Sequence, residues 1–156
     1  MRREELHCLA ASTTSIFSRI LCPVDLEHSF KALDFAIRLA LQNGARLHVL
    51  NVAAIPFGAT ELSSTADTAP FWEVTARKRL ELMAEEKLVG VADGYELLTR
   101  SGEPAAGILM AQADISADLI VMATHGRTGI SHFFVGSVAE RVVRESGCPV
   151  LTIRPD

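Results

Sequence analysis

Cysteine is scarce in this sequence: Cys8, Cys22 and Cys148 are the whole set. Three thiols without a Cys-x-x-Cys pair suggest neither a disulfide framework nor a zinc site, and they fit a reducing cytoplasm. His28, His48 and His132 lack metal-ligand spacing and read as structural. No apolar run approaches the roughly 18 residues that span a bilayer, so no membrane is expected as a partner. Lys and Arg form no cluster, and the net charge of −4 argues against a nucleic-acid surface. Residues 1–15 carry Arg2, Arg3, Glu4 and Glu5 but no long apolar core or convincing cleavage site. They read as a flexible N-terminal extension rather than a signal peptide. No Gly-x4-Gly-Lys-Ser/Thr loop is present, and no nucleophile paired with a general base is evident.

What is present suits one ordinary domain over residues 16–156. The chain has 156 residues, 49% apolar and 22% charged, enough for a full core. The pattern predicts strands over 17–24, 46–53, 95–99, 118–123 and 149–153, and helices over 28–42, 70–88, 104–114 and 137–146. Phe30, Leu33, Ile37, Ala40 and Leu41 recur at helical spacing, and Asn43-Gly44 supplies a helix stop. Pro70 suits a first helical turn, with Glu81, Glu85, Glu86 and Lys87 on a solvated side. Gly102-Glu103-Pro104 reads as a strand-to-helix turn, and Gly147 as the close of the last helix. Residues 54–69 read as a long loop.

Strict alternation of strand and helix predicts an α/β fold: a single doubly wound domain with a five-stranded, mainly parallel sheet and helices on both faces. Ligands of such sheets sit beyond the carboxyl ends of the strands, at the switch point. Asp25, Val52 and the stretch from Met122 onward converge there. That stretch is an apolar strand opening into a loop with Gly126 and Gly129, then a helix start at Gly136-Ser137. Strand, glycine-bearing loop and helix N-terminus together suit phosphate, because unpaired N–H groups and the helix dipole attract negative charge.

The spacing Gly126-x9-Gly136-Ser137, after a strand ending Val-Met-Ala, resembles the universal stress protein family. Further segments agree in order: Pro23-Val24-Asp25, Gly102-x-Pro104, Ala117-Asp118-Leu-Ile-Val-Met122, Gly-Ser-Val-Ala-Glu-Arg-Val from Gly136, and Cys148-Pro-Val. The likeness runs from about residue 17 to 154. It implies a Rossmann-like, adenine nucleotide alpha hydrolase-like fold. The nucleotide-binding branch of the family carries Gly-x2-Gly-x9-Gly-Ser/Thr, and Ala123 stands here at the first glycine position. A methyl group there crowds a ligand that approaches the backbone.

The resemblance implies a role for each matching residue. Asp25 would accept hydrogen bonds from ribose hydroxyls. Pro23, Val24 and Val52 would line an adenine slot, with the Val52 backbone at the base edge. Met122 and Ala123 would lie along ribose and phosphate. Gly126, Gly136, Ser137 and Val138 would give N–H groups to phosphate, and Ser137 its hydroxyl. The ligand would be ATP, or alternatively AMP or cyclic AMP, with Mg²⁺ riding on the phosphates. The C-terminal strand 149–153 would pair with its copy in a homodimer. Plainer readings stand beside these. Ser137 with Glu140 forms a capping box, Asp25 suits an N-cap, Gly129 a turn, and His125 and Arg127 a solvated loop. Three functions are compatible with the chain: an adenine-nucleotide-binding stress protein without turnover as its main task, a nucleotide-free dimeric scaffold, and a slow ATP hydrolase.

Overall fold

A computed structural model describes residues 15–27, 29–55, 71–91, 94–124 and 136–154. The elements follow as β1 (Arg19–Pro23), α1 (Phe30–Asn43), β2 (Arg46–Ala53), α2 (Phe71–Lys87), β3 (Tyr95–Ser101), α3 (Pro104–Asp114), β4 (Leu119–Ala123), α4 (Ser137–Glu145) and β5 (Val150–Ile153). Every expected element is present, with ends displaced by at most two residues. The five strands form one sheet in the order β3-β2-β1-β4-β5, and every pairing is parallel. The chain winds outward from β1 to β3, returns, and resumes on the other side of β1. The switch point therefore lies between β1 and β4.

Two apolar layers sandwich the sheet. On one face Ile20, Cys22, Leu47, Val49, Leu119 and Val121 pack with Leu33, Ala36 and Ala40 of α1 and Leu80, Met83 and Ala84 of α2. On the other, Leu21, Leu50, Ile120 and Met122 meet Ala105, Ile108 and Ala111 of α3 and Ala139 and Val142 of α4. Alternate residues of one strand thus feed opposite layers, which is why the inner strands read as unbroken apolar runs.

Two sequence readings change. The buried stripe of α1 is Ala32, Leu33, Ala36 and Ala40, whereas Phe30 and Leu41 are 38% and 60% exposed. Alanines let the helix axis approach the sheet, so the stripe turns toward them and the bulkier ends swing outward. The Phe30 ring instead carries the Lys87 ammonium 5.5 Å from its centroid. Helix α1 does stop at Gly44, which is left-handed (φ 61) and donates its N–H to the Ala40 carbonyl. Helix α4, however, ends at an extended Ser146 (φ −67, ψ 140), and Gly147 plays no capping part. Pro70, Cys8, residues 1–14 and most of the 54–69 stretch lie outside the described residues.

His48 has a structural place on β2, 4% exposed. Neither ring nitrogen makes a hydrogen bond among the described residues, although Glu96 Oε2 lies 3.4 Å from Nδ1. Desolvation on burial pushes its pKa down, Glu96 opposes this, and Arg46 and Arg19 reinforce it. The folded state therefore favours neutral imidazole. The stability tied to this group is present above the unfolded value near 6.5 and is lost as pH falls from there through the lower folded value. Urea titrations from pH 7.5 to 5 should show that decline, and His48→Gln should flatten it.

Candidate functional site

A cleft of about 360 Å³ opens at the carboxyl ends of β1, β2 and β4. It gathers Pro23, Val24, Asp25, Val52, Met122, Ala123, Gly136, Ser137 and Val138, nine of the ten positions singled out in the sequence. The tenth, Gly126, lies outside the described residues with Gly129, His125, Arg127 and His132; His28 does as well.

The β1–α1 loop is organised by Asp25. Its Oδ1 accepts the Glu27 N–H at 3.0 Å, the Ser29 N–H at 3.1 Å and the Ser29 hydroxyl at 2.7 Å. The Asp25 N–H in return donates to Ser29 Oγ at 3.0 Å. The N-cap of α1 is therefore Ser29, not Asp25. Asp25 sits four residues earlier and ties the loop to that cap. Between them Leu26 is left-handed (φ 65), a conformation costing roughly 1–2 kcal/mol in an L-residue. Its side chain packs on the α1 layer, and the bond from Glu27 to Asp25 closes the turn around it.

The wall beside this loop is the end of β2. The β1–β2 register closes at Pro23↔Leu50, and the Val24 N–H still donates to the Leu50 carbonyl at 2.8 Å. In a parallel ladder a residue's N–H and C=O face the same neighbour, and the next residue's face the other. Leu50 faces β1, so Val52 does too, but β1 has ended there. The Val52 backbone is thereby aimed into the cleft. Its side chain is backed by Gly107 of α3, where an added Cβ would stand 3.0 Å from both Val52 methyl carbons.

The opposite wall is the N-terminus of α4. Gly136 is its N-cap (φ −59, ψ 150) and supplies no side-chain cap. Ser137 is the first helical residue and exposed, so the expected Ser137–Glu140 capping box is absent. The preceding helix shows the alternative: Glu103 caps α3 by accepting the Ala105 and Ala106 N–H groups at 3.0 and 2.8 Å. Those two bonds, from Ala106 and then Ala105, lower the Glu103 pKa, and Arg141 adds to the shift. Arg141 bonds Glu103 at 2.6 Å and Glu145 at 3.1 Å, fastening α4 to the start of α3. One expected donor is otherwise engaged: the Gly136 N–H bonds the Thr124 carbonyl at 2.7 Å. The Ser137 and Val138 N–H groups belong to a first helical turn and have no intrahelical acceptor.

Ser29, Asn51 and Thr124 also line the cleft and were not singled out in the sequence. Ser29 had a signal in its spacing from Asp25, and Asn51 in being a lone amide within an apolar strand. Among the described residues no group of three His, Cys, Asp or Glu side chains could hold a metal ion. A cation carried on phosphates needs no such group.

A family model described as the Universal stress protein family matches residues 17–154. A universal stress protein of Methanocaldococcus jannaschii is 34% identical over 157 residues, covering 96% of this chain and 89% of the relative. A solved universal stress protein in complex with cAMP superposes with a TM-score of 0.70 at 19% identity, covering 91% of this chain and 100% of that one. At that identity the likeness is one of fold. The universal stress protein from Archaeoglobus fulgidus in complex with dAMP gives a TM-score of 0.59 at 25% identity, covering 88% of this chain and 98% of that one.

Proposed function

The chain belongs to the universal stress protein family, and from that premise we propose that it binds an adenine nucleotide in the cleft between β1 and β4 and acts in stress response. The observation that carries the reading is the facing of three unlike groups across one cleft: the Asp25 carboxylate, the Val52 backbone and the uncapped N-terminus of α4. A nucleotide has a matching part for each. Ribose hydroxyls donate to Asp25, the adenine edge meets Val52, and phosphate oxygens accept from the Ser137 and Val138 N–H groups and the Ser137 hydroxyl. The dAMP complex of the A. fulgidus relative supports the same class of ligand.

The ligand is ATP, with Mg²⁺ carried on its phosphates, and AMP and cyclic AMP are to be ranked against it. Charge-assisted bonds are worth about 1.5–3 kcal/mol each. Two or three of them with a buried base give about −8 kcal/mol, a micromolar affinity. The test is to denature purified protein and chromatograph what it releases, and to titrate nucleotide-free protein with ATP and Mg²⁺ by calorimetry. Released or titratable adenine nucleotide is the expected result; silence in both assays overturns the proposal.

Ala123 bears on the affinity. It lies at the end of β4, paired with Ile153, and lines the cleft. Ala123→Gly should tighten ATP binding severalfold by removing a methyl group from the ligand's path. It should also cost about 0.5–1 kcal/mol of stability, since glycine is freer in the unfolded chain. Calorimetry and urea denaturation measure the two effects.

A homodimer is the expected assembly, through the strand at 149–153. Strand β5 is an edge, and Val150, Leu151, Thr152 and Ile153 are each only partly buried. An open apolar edge is a template for pairing with a copy. Sedimentation should return twice the 16.9 kDa chain mass. A dimer that shows no heat with any adenine nucleotide favours the scaffold reading instead.

A further inference from the structure

A buried amide stands where the β1–β2 ladder stops. Asn51 is 6% exposed, lines the cleft, and donates its Nδ2–H to the Val24 carbonyl at 2.8 Å. Val24 has just extended the ladder by giving its N–H to the Leu50 carbonyl at 2.8 Å. In a regular parallel ladder the next bond runs from the Val52 N–H to that same Val24 carbonyl. The described backbone bonds include the first rung beyond Pro23 but not this second one. The side chain of Asn51 takes its place.

We propose that Asn51 is a positioning residue: its amide occupies the Val24 carbonyl, ends β1–β2 pairing one rung early, and leaves the Val52 N–H and C=O to face the base. The inference rests on the reading of the cleft as an adenine-nucleotide site. The chemistry of the base suits it. Adenine presents an acceptor ring nitrogen, N1, beside a donor amine, N6, and a backbone N–H and C=O from one residue answer both. Hypoxanthine reverses the pattern, with N1–H and an O6 acceptor. A Val52 backbone held open by Asn51 therefore prefers AMP to IMP. A backbone zipped onto Val24 has no N–H to offer and tells the two bases apart only through its C=O. Burial is what makes the substitution durable, because a carbonyl satisfied by an amide away from water has no gain in releasing it.

Two measurements test this. Amide hydrogen exchange on nucleotide-free wild-type protein should find Val52 unprotected while Leu50, two residues earlier on the same ladder, is protected. Equal protection of the two would overturn the proposal without any variant. In Asn51→Leu the donor is gone and the volume is kept. Val52 should become protected, AMP affinity should fall about tenfold or more, and the preference for AMP over IMP should shrink by about the same factor. A role limited to stability would lower the melting temperature and leave the AMP:IMP ratio as it was, and that result would overturn the proposal. Failure of wild-type protein to bind AMP would instead overturn the reading of the cleft, and the Val52 exchange pattern would still decide what Asn51 does.

Discussion

Gly136→Val should fold normally and lose adenine-nucleotide affinity by about 100-fold or more. The backbone at Gly136 (φ −59, ψ 150) lies in the region open to every L-residue, so no strain opposes a side chain. Valine is a poor N-cap, but glycine makes no cap bond here either, and the stability cost should stay near 1 kcal/mol. The branched side chain would stand at the mouth of α4, in the space a phosphate needs to reach the Ser137 and Val138 N–H groups. Losing two charge-assisted bonds removes about 3 kcal/mol or more, which is the stated factor. Thermal denaturation checks the fold and calorimetry the affinity. Unchanged affinity would place the phosphates elsewhere.

Asp25→Ala is the second large effect, and it should strike stability and binding together. The substitution strips one acceptor from three donors, the Glu27 N–H, the Ser29 N–H and the Ser29 hydroxyl. It also unties the turn that holds Leu26 left-handed. Bonds to a carboxylate are worth about 1.5–3 kcal/mol apiece but not additively, and the loop relaxes, so a loss of about 2–3 kcal/mol is expected in urea. Affinity for ribose-bearing ligands should fall at least about tenfold. Asp25→Asn separates the two roles. Its amide oxygen keeps an acceptor for the loop, so stability should stay within about 1 kcal/mol of wild type. The charge that strengthens ribose hydrogen bonds is gone, so affinity should still drop.

The strands were legible because three of them are buried on both faces. Such strands are written as continuous apolar runs such as Leu119 to Ala123, and alternation with helices then leaves few topologies. The cleft was legible because motif positions distant in sequence share the one switch point. What escaped the sequence depends on contacts that spacing does not encode. The α1 stripe turned toward its alanines because the distance to the sheet, not hydrophobicity alone, selects the buried side. Ser137 looked like a cap and is one residue inside the helix. The chain leaves Thr124 and returns at Gly136, whose N–H is spent on Thr124, and that closure sets where the helix begins. In the sequence Asn51 reads as one more residue of a strand, yet its bond to Val24 bridges residues that only the folded sheet brings together.

The most direct test of the nucleotide site is a map of backbone amide shifts as nucleotide-free protein is titrated with ATP and Mg²⁺. The largest changes should fall together on Val52, Ala123, Ser137 and Val138, saturating at one ligand per chain. No saturable change, or changes confined to residues away from the carboxyl ends of β1, β2 and β4, would contradict the assignment of this cleft as an adenine-nucleotide site.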